Sequence, residues 1–173
     1  RLGLRLGMPV AKAQAIAPGL VVMDADRQAD ADGLKKLAMW ALQRVSPIVM
    51  ADPPDGLVID TTGADHLHGG DGAMLQAVVQ RLTSSGIETR ATVAGSAGAA
   101  HAAARFLGRA TTIIPEGAAE PLMRALPISA LRLDPEIVAG LRKLGFELVG
   151  ELINQPRAPL ALRFGLEIGR RLD

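Results

Sequence analysis

Three carboxylates crowd around one predicted turn in the middle of the sequence. Asp52, Asp55 and Asp60 fall within nine residues, and a Pro-Pro-Asp-Gly run at 53–56 separates two apolar stretches. Clustered carboxylates on a hairpin are how phosphoryl-transfer enzymes hold two Mg²⁺ ions about 4 Å apart. In a regular strand, however, Asp55 and Asp60 would face opposite sides, and turns routinely recruit Asp and Gly. The spacing alone therefore favours a turn with a solvated Asp60, and a metal site is the second interpretation.

A second candidate site lies near the C-terminus, where a glycine-bearing turn joins two short helical patterns. Gly145 is expected to adopt the left-handed conformation that ends the first helix, and Arg142 and Lys143 lie beside it. Helix–hairpin–helix units of this kind present backbone N–H groups and a helix N-terminus to a DNA phosphate. The same pattern also fits a plain helical hairpin, so both interpretations stay open.

Composition excludes several classes of function. The 173 residues include no Cys, which excludes disulfides, thiolate zinc sites, iron–sulfur clusters and cysteine nucleophiles. With one Trp, three Phe and no Tyr, the chain has too few rings for a protein that stacks single-stranded bases. No apolar run approaches the roughly 20 residues of a membrane-spanning helix, and no signal peptide is visible. Because the chain opens with Arg1 and ends within a helical pattern, we expect a piece of a longer protein.

Charge is unevenly distributed along the chain. Residues 1–50, 51–121 and 122–173 have net charges of +3, −4 and +2. An acidic middle beside a basic end is what a metal or catalytic centre next to a phosphate-binding surface would produce. Ordinary scatter of surface charge explains the numbers equally well.

Apolar periodicity predicts the elements that must position these residues. Asp24 or Asp26 is expected to cap the first of three helices, Asp71 the second and Ser96 the third. The predicted helices lie near 7–16, 26–46, 71–85, 96–106, 135–144, 148–155, 159–164 and 165–172. The predicted strands lie at 20–23, 48–51, 57–62, 88–94 and 111–114. The middle of the chain is therefore expected to form one sheet with helices on one face, an α+β layer, with a boundary near 115–120 and a small all-α unit after it.

Four stretches, taken in order, are similar to the Y-family (UmuC-like) translesion DNA polymerases. They are GMP at 7–9, PPDGLVIDTTG at 53–63, GIETRATVA at 86–94 and LGFELVGEL at 144–152. The resemblance spans essentially the whole chain. It implies the end of the fingers at 1–25, a palm at 26–116 and a helix–hairpin–helix thumb at 117–173. It also implies that the family's first palm strand, with its first metal-binding Asp, precedes Arg1, and that the little-finger domain follows Asp173.

The acidic hairpin departs from the family pattern. Active members have Ser-x-Asp-Glu where this sequence has Pro-Pro-Asp-Gly at 53–56. Asp55 keeps a metal-ligand position as a remnant, whereas Gly56 replaces the second carboxylate and can serve neither as a base nor as a ligand. The family's two lysines near the substrate phosphates correspond to Ala97 and His101. The resemblance therefore implies no confident catalytic residue.

The thumb departs from the pattern at one turn. The family's Gly-x-Gly phosphate turn reads Leu-Arg-Leu at 131–133, and Arg132 could recover the phosphate contact through its charge. Together with the turn at 142–145, this makes Arg132, Arg142, Lys143 and Gly145 the predicted DNA-binding residues.

These departures resemble the catalytically silent, polymerase-like members that act in SOS mutagenesis. The resemblance implies a scaffold for damage-induced translesion synthesis that associates with DNA and recruits an error-prone polymerase. Its implied partners are DNA, an error-prone C-family DNA polymerase, the accessory protein ImuA and the sliding clamp, with most contacts outside this chain. No cofactor is expected, and the resemblance implies a cytoplasmic, nucleoid-associated location in a bacterium.

Two alternatives stay open at this point. One is an active nucleotidyltransferase that uses Mg²⁺ and in which Asp52 or Asp60 joins Asp55. The other is a protein-interaction module that never contacts DNA.

Overall fold

The chain contains both helices and short strands as far as residue 113, and helical elements follow. The computed structural model describes residues 3–5 and 7–172. The helices are α1 (Val10–Ile16), α2 (Arg27–Arg44), α3 (Asp71–Ser84), α4 (Ala97–Phe106), α5 (Ala119–Arg124), α6 (Pro135–Lys143), α7 (Val149–Ile153), α8 (Arg157–Phe164) and α9 (Glu167–Leu172). The strands are β1 (Ile48–Asp52), β2 (Gly56–Asp60), β3 (Ala91–Val93) and β4 (Thr111–Ile113). Two 3₁₀ turns occupy Asp65–His68 and Ile128–Leu131.

Two of the three predicted helix caps are confirmed. The Asp26 carboxylate accepts a hydrogen bond from the Ala29 N–H at 2.9 Å, and the Ser96 hydroxyl accepts one from the Ala99 N–H at 3.3 Å. The prediction for Asp71 is wrong, because Gly70 is the N-cap and Asp71 begins the helix. A carboxylate in the first turn still interacts favourably with the helix dipole.

The α+β class is confirmed, but the single sheet predicted for the middle of the chain is wrong. In the described residues, β1 and β2 form an antiparallel hairpin, while β3 and β4 form a separate parallel pair. A cleft of about 930 Å³ lies between them and is lined by both β2 and β3. Helices α2 and α3 contribute apolar side chains to its wall, including Leu34, Leu37 and Leu75.

The predicted strand at 20–23 is also wrong. This apolar run contains no strand, and Val21 and Met23 are 80% and 84% exposed. High strand propensity did not suffice here, because a strand needs a partner for its backbone groups.

Two main apolar cores lie on either side of the alanine-rich helix α4. The first packs α2 and α3 against one face of the hairpin, with Ala41, Val45 and Met74 buried at its centre. The second holds the C-terminal helices together and consists of the buried residues Ile128, Leu131, Leu133, Val138, Leu141, Val149, Leu152, Leu160 and Ile168. Between them, the small side chains Ala99, Ala102 and Ala103 of α4 are buried in two small clusters that include residues of α5. Helix α4 therefore joins the strand region to the C-terminal helices.

Within the described ranges, none of the helices combines the length and apolar character that crossing a membrane requires.

Candidate functional site: an ionic cluster at the acidic hairpin

The hairpin brings two of its three aspartates together and leaves the third at the far end. Asp52 is paired with Gly56 beside the turn that contains Asp55, whereas Asp60 is paired with Ile48. Four residues of strand separate these pairs, which is roughly 14 Å. The Asp60 carboxylate accepts a hydrogen bond from the Thr62 N–H at 2.9 Å. Hydrogen bonding to Thr62, first through its side chain and then through its backbone, lowers the pKa of Asp60. Asp60 is therefore a local turn residue and does not join Asp52 and Asp55.

The Asp55 carboxylate is bound by an arginine on α4. Nη2 and Nη1 of Arg105 donate to Oδ1 and Oδ2 of Asp55 at 2.5 and 3.2 Å. Bidentate guanidinium–carboxylate pairs of this kind combine charge with fixed geometry. The Arg105 hydrogen bonds hold the pKa of Asp55 below its usual value despite partial desolvation. Both carboxylate oxygens of Asp55 are thus engaged by a protein cation.

The Asp52 carboxylate is bound by a second arginine, which comes from the C-terminal helical region. Nη2 of Arg132 donates to Oδ1 of Asp52 at 2.5 Å. The Asp52 side chain is only 11% exposed, and that of Arg132 is 33% exposed. Asp52 is one of two buried polar residues among those described, so its charge requires such a partner.

His101 lies between the two ion pairs. Its Nε2 accepts a hydrogen bond from Nε of Arg105 at 2.8 Å and lies 3.8 Å from Oδ2 of Asp52. Burial and the positive charges of Arg132 and Arg105 lower the pKa of His101. We therefore assign a neutral imidazole with its proton on Nδ1, since Nε2 accepts the Arg105 bond. Nδ1 is buried without a hydrogen-bond partner in the described structure.

Gly56 is closely packed against Asp52. A Cβ at this position would lie 3.1 Å from the Asp52 carbonyl oxygen and 3.5 Å from its Oδ2. A longer side chain would have to share this space with the Asp52–Arg132 pair. The glycine is therefore part of the packing that surrounds Asp52.

This donor set does not fit a two-metal centre. Carboxylate oxygens of Asp52 and Asp55 already accept arginine hydrogen bonds, and two Mg²⁺ ions need several free oxygen ligands. No group of three or more His, Cys, Asp or Glu residues within the described ranges is placed to hold a metal ion. Two carboxylates and two guanidinium groups balance each other in charge. Asp52 is buried in this ionic network, whereas the Asp55 side chain is 62% exposed.

The predicted C-terminal turn forms with the expected backbone geometry. Gly145 has a φ of +88°, and its N–H donates to the Arg142 carbonyl at 2.9 Å. Nε of Arg142 lies 3.5 Å from the Glu147 carboxylate, and Lys143 is exposed. The structure therefore places these residues on one turn, and their contact with DNA stays a prediction.

A carboxylate already occupies the N-terminus of α7. Oε2 of Glu151 accepts hydrogen bonds from the N–H groups of Glu147 and Leu148 at 2.7 and 2.9 Å, which lower the pKa of Glu151. A phosphate at this position would have to displace Glu151. The side chains of Lys143 and Arg142 are consequently better candidates for DNA contact than the backbone of the turn.

Sequence reasoning missed Arg105 and the partners of Arg132. The distances along the chain are 50 residues for Asp55–Arg105 and 80 for Asp52–Arg132, and no short motif reports such separations. The one available pattern was the i,i+4 spacing of His101 and Arg105 after a predicted N-cap, which puts both on one face of α4.

The chain therefore has an α+β fold, and arginines form ion pairs with two carboxylates of its acidic hairpin. No protein-family profile matches this chain. Over 172 residues, or 99% of its length, it is 45% identical to Protein ImuB from two strains of Caulobacter vibrioides, NA1000/CB15N and ATCC 19089/CIP 103742/CB 15. The chain spans 37% of the length of these curated relatives. It is therefore related to ImuB.

Proposed function

We propose that this chain is the polymerase-like part of a non-catalytic scaffold for damage-induced translesion DNA synthesis. It associates with DNA and helps to recruit an error-prone C-family polymerase, ImuA and the sliding clamp. The similarity to ImuB and the sequence resemblance to Y-family polymerases support this role. The domain assignment of fingers, palm and thumb at 1–25, 26–116 and 117–173 belongs to the same proposal.

One observation carries the non-catalytic part of the proposal: guanidinium groups bind the carboxylates of Asp52 and Asp55. Arg105 binds Asp55, Arg132 binds Asp52, and the neighbouring position is Gly56. In two-metal catalysis the ions stabilise the attacking and the leaving oxygens, and this needs carboxylates that are free to ligate. An arginine on each carboxylate supports a folded ionic network in place of a reaction centre. The hairpin then keeps the fold of a polymerase palm but does not catalyse nucleotide transfer.

The DNA-associating part rests on the basic residues of the C-terminal turn. Lys143 is exposed beside Gly145, and the C-terminal third of the chain has a net positive charge. Each phosphate contact gives a slope of roughly −0.9 in a plot of log affinity against log salt. With Lys143 and Arg142 as the principal contacts, we expect weak duplex binding with a slope of about −2.

Primer extension tests the non-catalytic role. The full-length protein that contains this chain is incubated with a primed template, deoxynucleotides and either Mg²⁺ or Mn²⁺. The proposal predicts no extension above that of an Asp55→Ala variant. Clear extension that Asp55→Ala abolishes would establish the active alternative, with Asp52 as the available second carboxylate.

Duplex binding tests the DNA-associating role. Binding of a fluorescein-labelled 20-base-pair duplex is measured by anisotropy between 50 and 200 mM NaCl. Lys143→Ala should weaken binding and reduce the salt slope by about 1. Lys36→Ala, which removes an exposed charge from α2, is the matched control and should have little effect. If no variant binds at low salt, the chain is an interaction module that does not contact DNA.

A further inference from the structure

The backbone at Arg132 is unusual for an arginine. With φ of 58° and ψ of 31° it is left-handed, and it is the one non-glycine residue with positive φ in the described ranges. Its neighbours Leu131 and Leu133 are 4% and 7% exposed and belong to the core of the C-terminal helices. L-residues adopt this conformation only when their surroundings impose it. The turn is thus anchored on both sides and directs the Arg132 side chain towards the hairpin.

Other donors around this turn are already occupied by carboxylates. Oδ1 of Asp134 accepts the Glu136 N–H at 2.8 Å, and Glu136 adds a further negative charge to the first turn of α6. These acidic groups disfavour a phosphate at the backbone of α6. The Arg132 guanidinium is therefore the cation at this turn that can attract a phosphate, and Asp52 holds it.

Release of Arg132 would not leave Asp52 without a cation nearby. The pKa of Arg105 is raised mainly by its hydrogen bond to Asp55 and further by the charge of Asp52, so Arg105 stays a cation near Asp52. The Arg132 side chain is 33% exposed, so an incoming anion can reach it from solvent. The geometry thus allows a phosphate to replace the Asp52 carboxylate as the partner of Arg132.

We propose that Asp52 is an internal competitor for Arg132, which holds this turn in a state that does not bind DNA until a backbone phosphate replaces the carboxylate. This inference rests on the DNA association proposed above and adds a regulatory contact to it. Removing the Asp52 charge should free Arg132 and strengthen DNA binding. Removing Arg132 from the unmodified chain should change binding little, because the phosphate contact that Arg132 gains there is offset by the Asp52 contact that it loses.

Duplex affinity in a double-mutant cycle tests the proposal. Anisotropy with the fluorescein-labelled duplex at 50 mM NaCl should show roughly tenfold tighter binding for Asp52→Asn, the effect of one new charge-assisted contact. Asp60→Asn removes the same charge from an exposed position on the same hairpin and should tighten binding less than about twofold. Arg132→Ala should have a similarly small effect alone and should abolish the gain in the Asp52→Asn background.

Three results would overturn the competition. These are an Asp52→Asn affinity equal to that of Asp60→Asn, a gain that survives Arg132→Ala, and an equal loss on Arg132→Ala in both backgrounds. If Lys143→Ala weakens binding while Asp52→Asn gives no gain over its control, the competition fails and the proposed function stands. If neither the unmodified chain nor Asp52→Asn binds the duplex at 50 mM NaCl, both fail.

A measurement on the unmodified chain covers the case in which Asp52→Asn does not fold. The guanidinium NMR signals of Arg132, identified by their loss in Arg132→Ala, are followed during titration with the same duplex. The competition predicts that they shift in proportion to the fraction of chain bound. Signals that stay unchanged at saturation would overturn it.

Discussion

Arg105 holds both carboxylate oxygens of Asp55, at 2.5 and 3.2 Å, across 50 residues of chain. Asp55 lies where the resemblance to translesion polymerases implies a metal ligand. A guanidinium in this place supplies the positive charge that a carboxylate needs and fixes it to α4. The ion pair therefore converts a potential metal ligand into a contact between the hairpin and a helix.

The pKa of Asp55 reports this ion pair directly. Removing the guanidinium in Arg105→Ala should raise the pKa of Asp55 towards its ordinary value, because the Arg105 hydrogen bonds are the main cause of the depression. Carbon-13 NMR of the Asp55 carboxyl during an acid titration measures it. Arg105→Lys should give an intermediate pKa, since Lys retains the charge without the bidentate geometry. An Asp55 pKa that Arg105→Ala leaves unchanged would mean that the pair does not form in solution.

Asp52 and Arg132 should show strong coupling in stability. Asp52→Ala should lower the free energy of unfolding by about 2 kcal/mol, because it leaves a partly buried guanidinium without its carboxylate. The Asp52→Ala/Arg132→Ala double variant should be less destabilised than the sum of the two single variants. Urea unfolding gives the free energy of unfolding of the unmodified chain, the two single variants and the double variant. Additive effects would contradict the buried ion pair.

His101 predicts a pH dependence of stability. Its folded-state pKa is lowered from 6.5, so the unfolded chain binds the proton more readily. The contribution is fully present above about pH 6.5 and is lost as pH falls from there towards the folded pKa. His101→Gln should flatten the fall in unfolding free energy between pH 7 and 5. A parental slope in His101→Gln would contradict the neutral, buried imidazole.

Two glycines should respond oppositely to alanine. A Cβ at Gly56 would meet the Asp52 carbonyl oxygen at 3.1 Å, whereas a Cβ at Gly33, within α2, has nothing within 4 Å. Gly56→Ala should destabilise the chain by about 1 kcal/mol through overpacking. Gly33→Ala should stabilise it by about 0.5–1 kcal/mol through helix propensity. Thermal unfolding separates the two, and a neutral Gly56→Ala would show that the hairpin has room for a side chain.

The sequence predicted local features well and distant ones poorly. Some features depend only on residues that are neighbours in the chain, so one sequence shows their patterns. They are the hairpin, the helix caps at Asp26 and Ser96, and the left-handed turn at Gly145. The division into two sheets depends on which strands meet in space, and α5 follows Pro115 without an apolar periodicity strong enough to predict it. Of the candidate site, the sequence identified Asp52, Asp55 and Arg132 separately. It did not identify their ion-pair partners, because chain separations of 50 and 80 residues leave no periodic trace.

Binding of Mn²⁺ tests most directly whether arginines have replaced metal ions at the hairpin. Free Mn²⁺ is followed by electron paramagnetic resonance as the chain is titrated, with Asp52→Ala/Asp55→Ala as the reference for non-specific binding. The account predicts that the unmodified chain binds no more Mn²⁺ than this reference. Stoichiometric binding of two Mn²⁺ ions per chain that the double variant abolishes would contradict it.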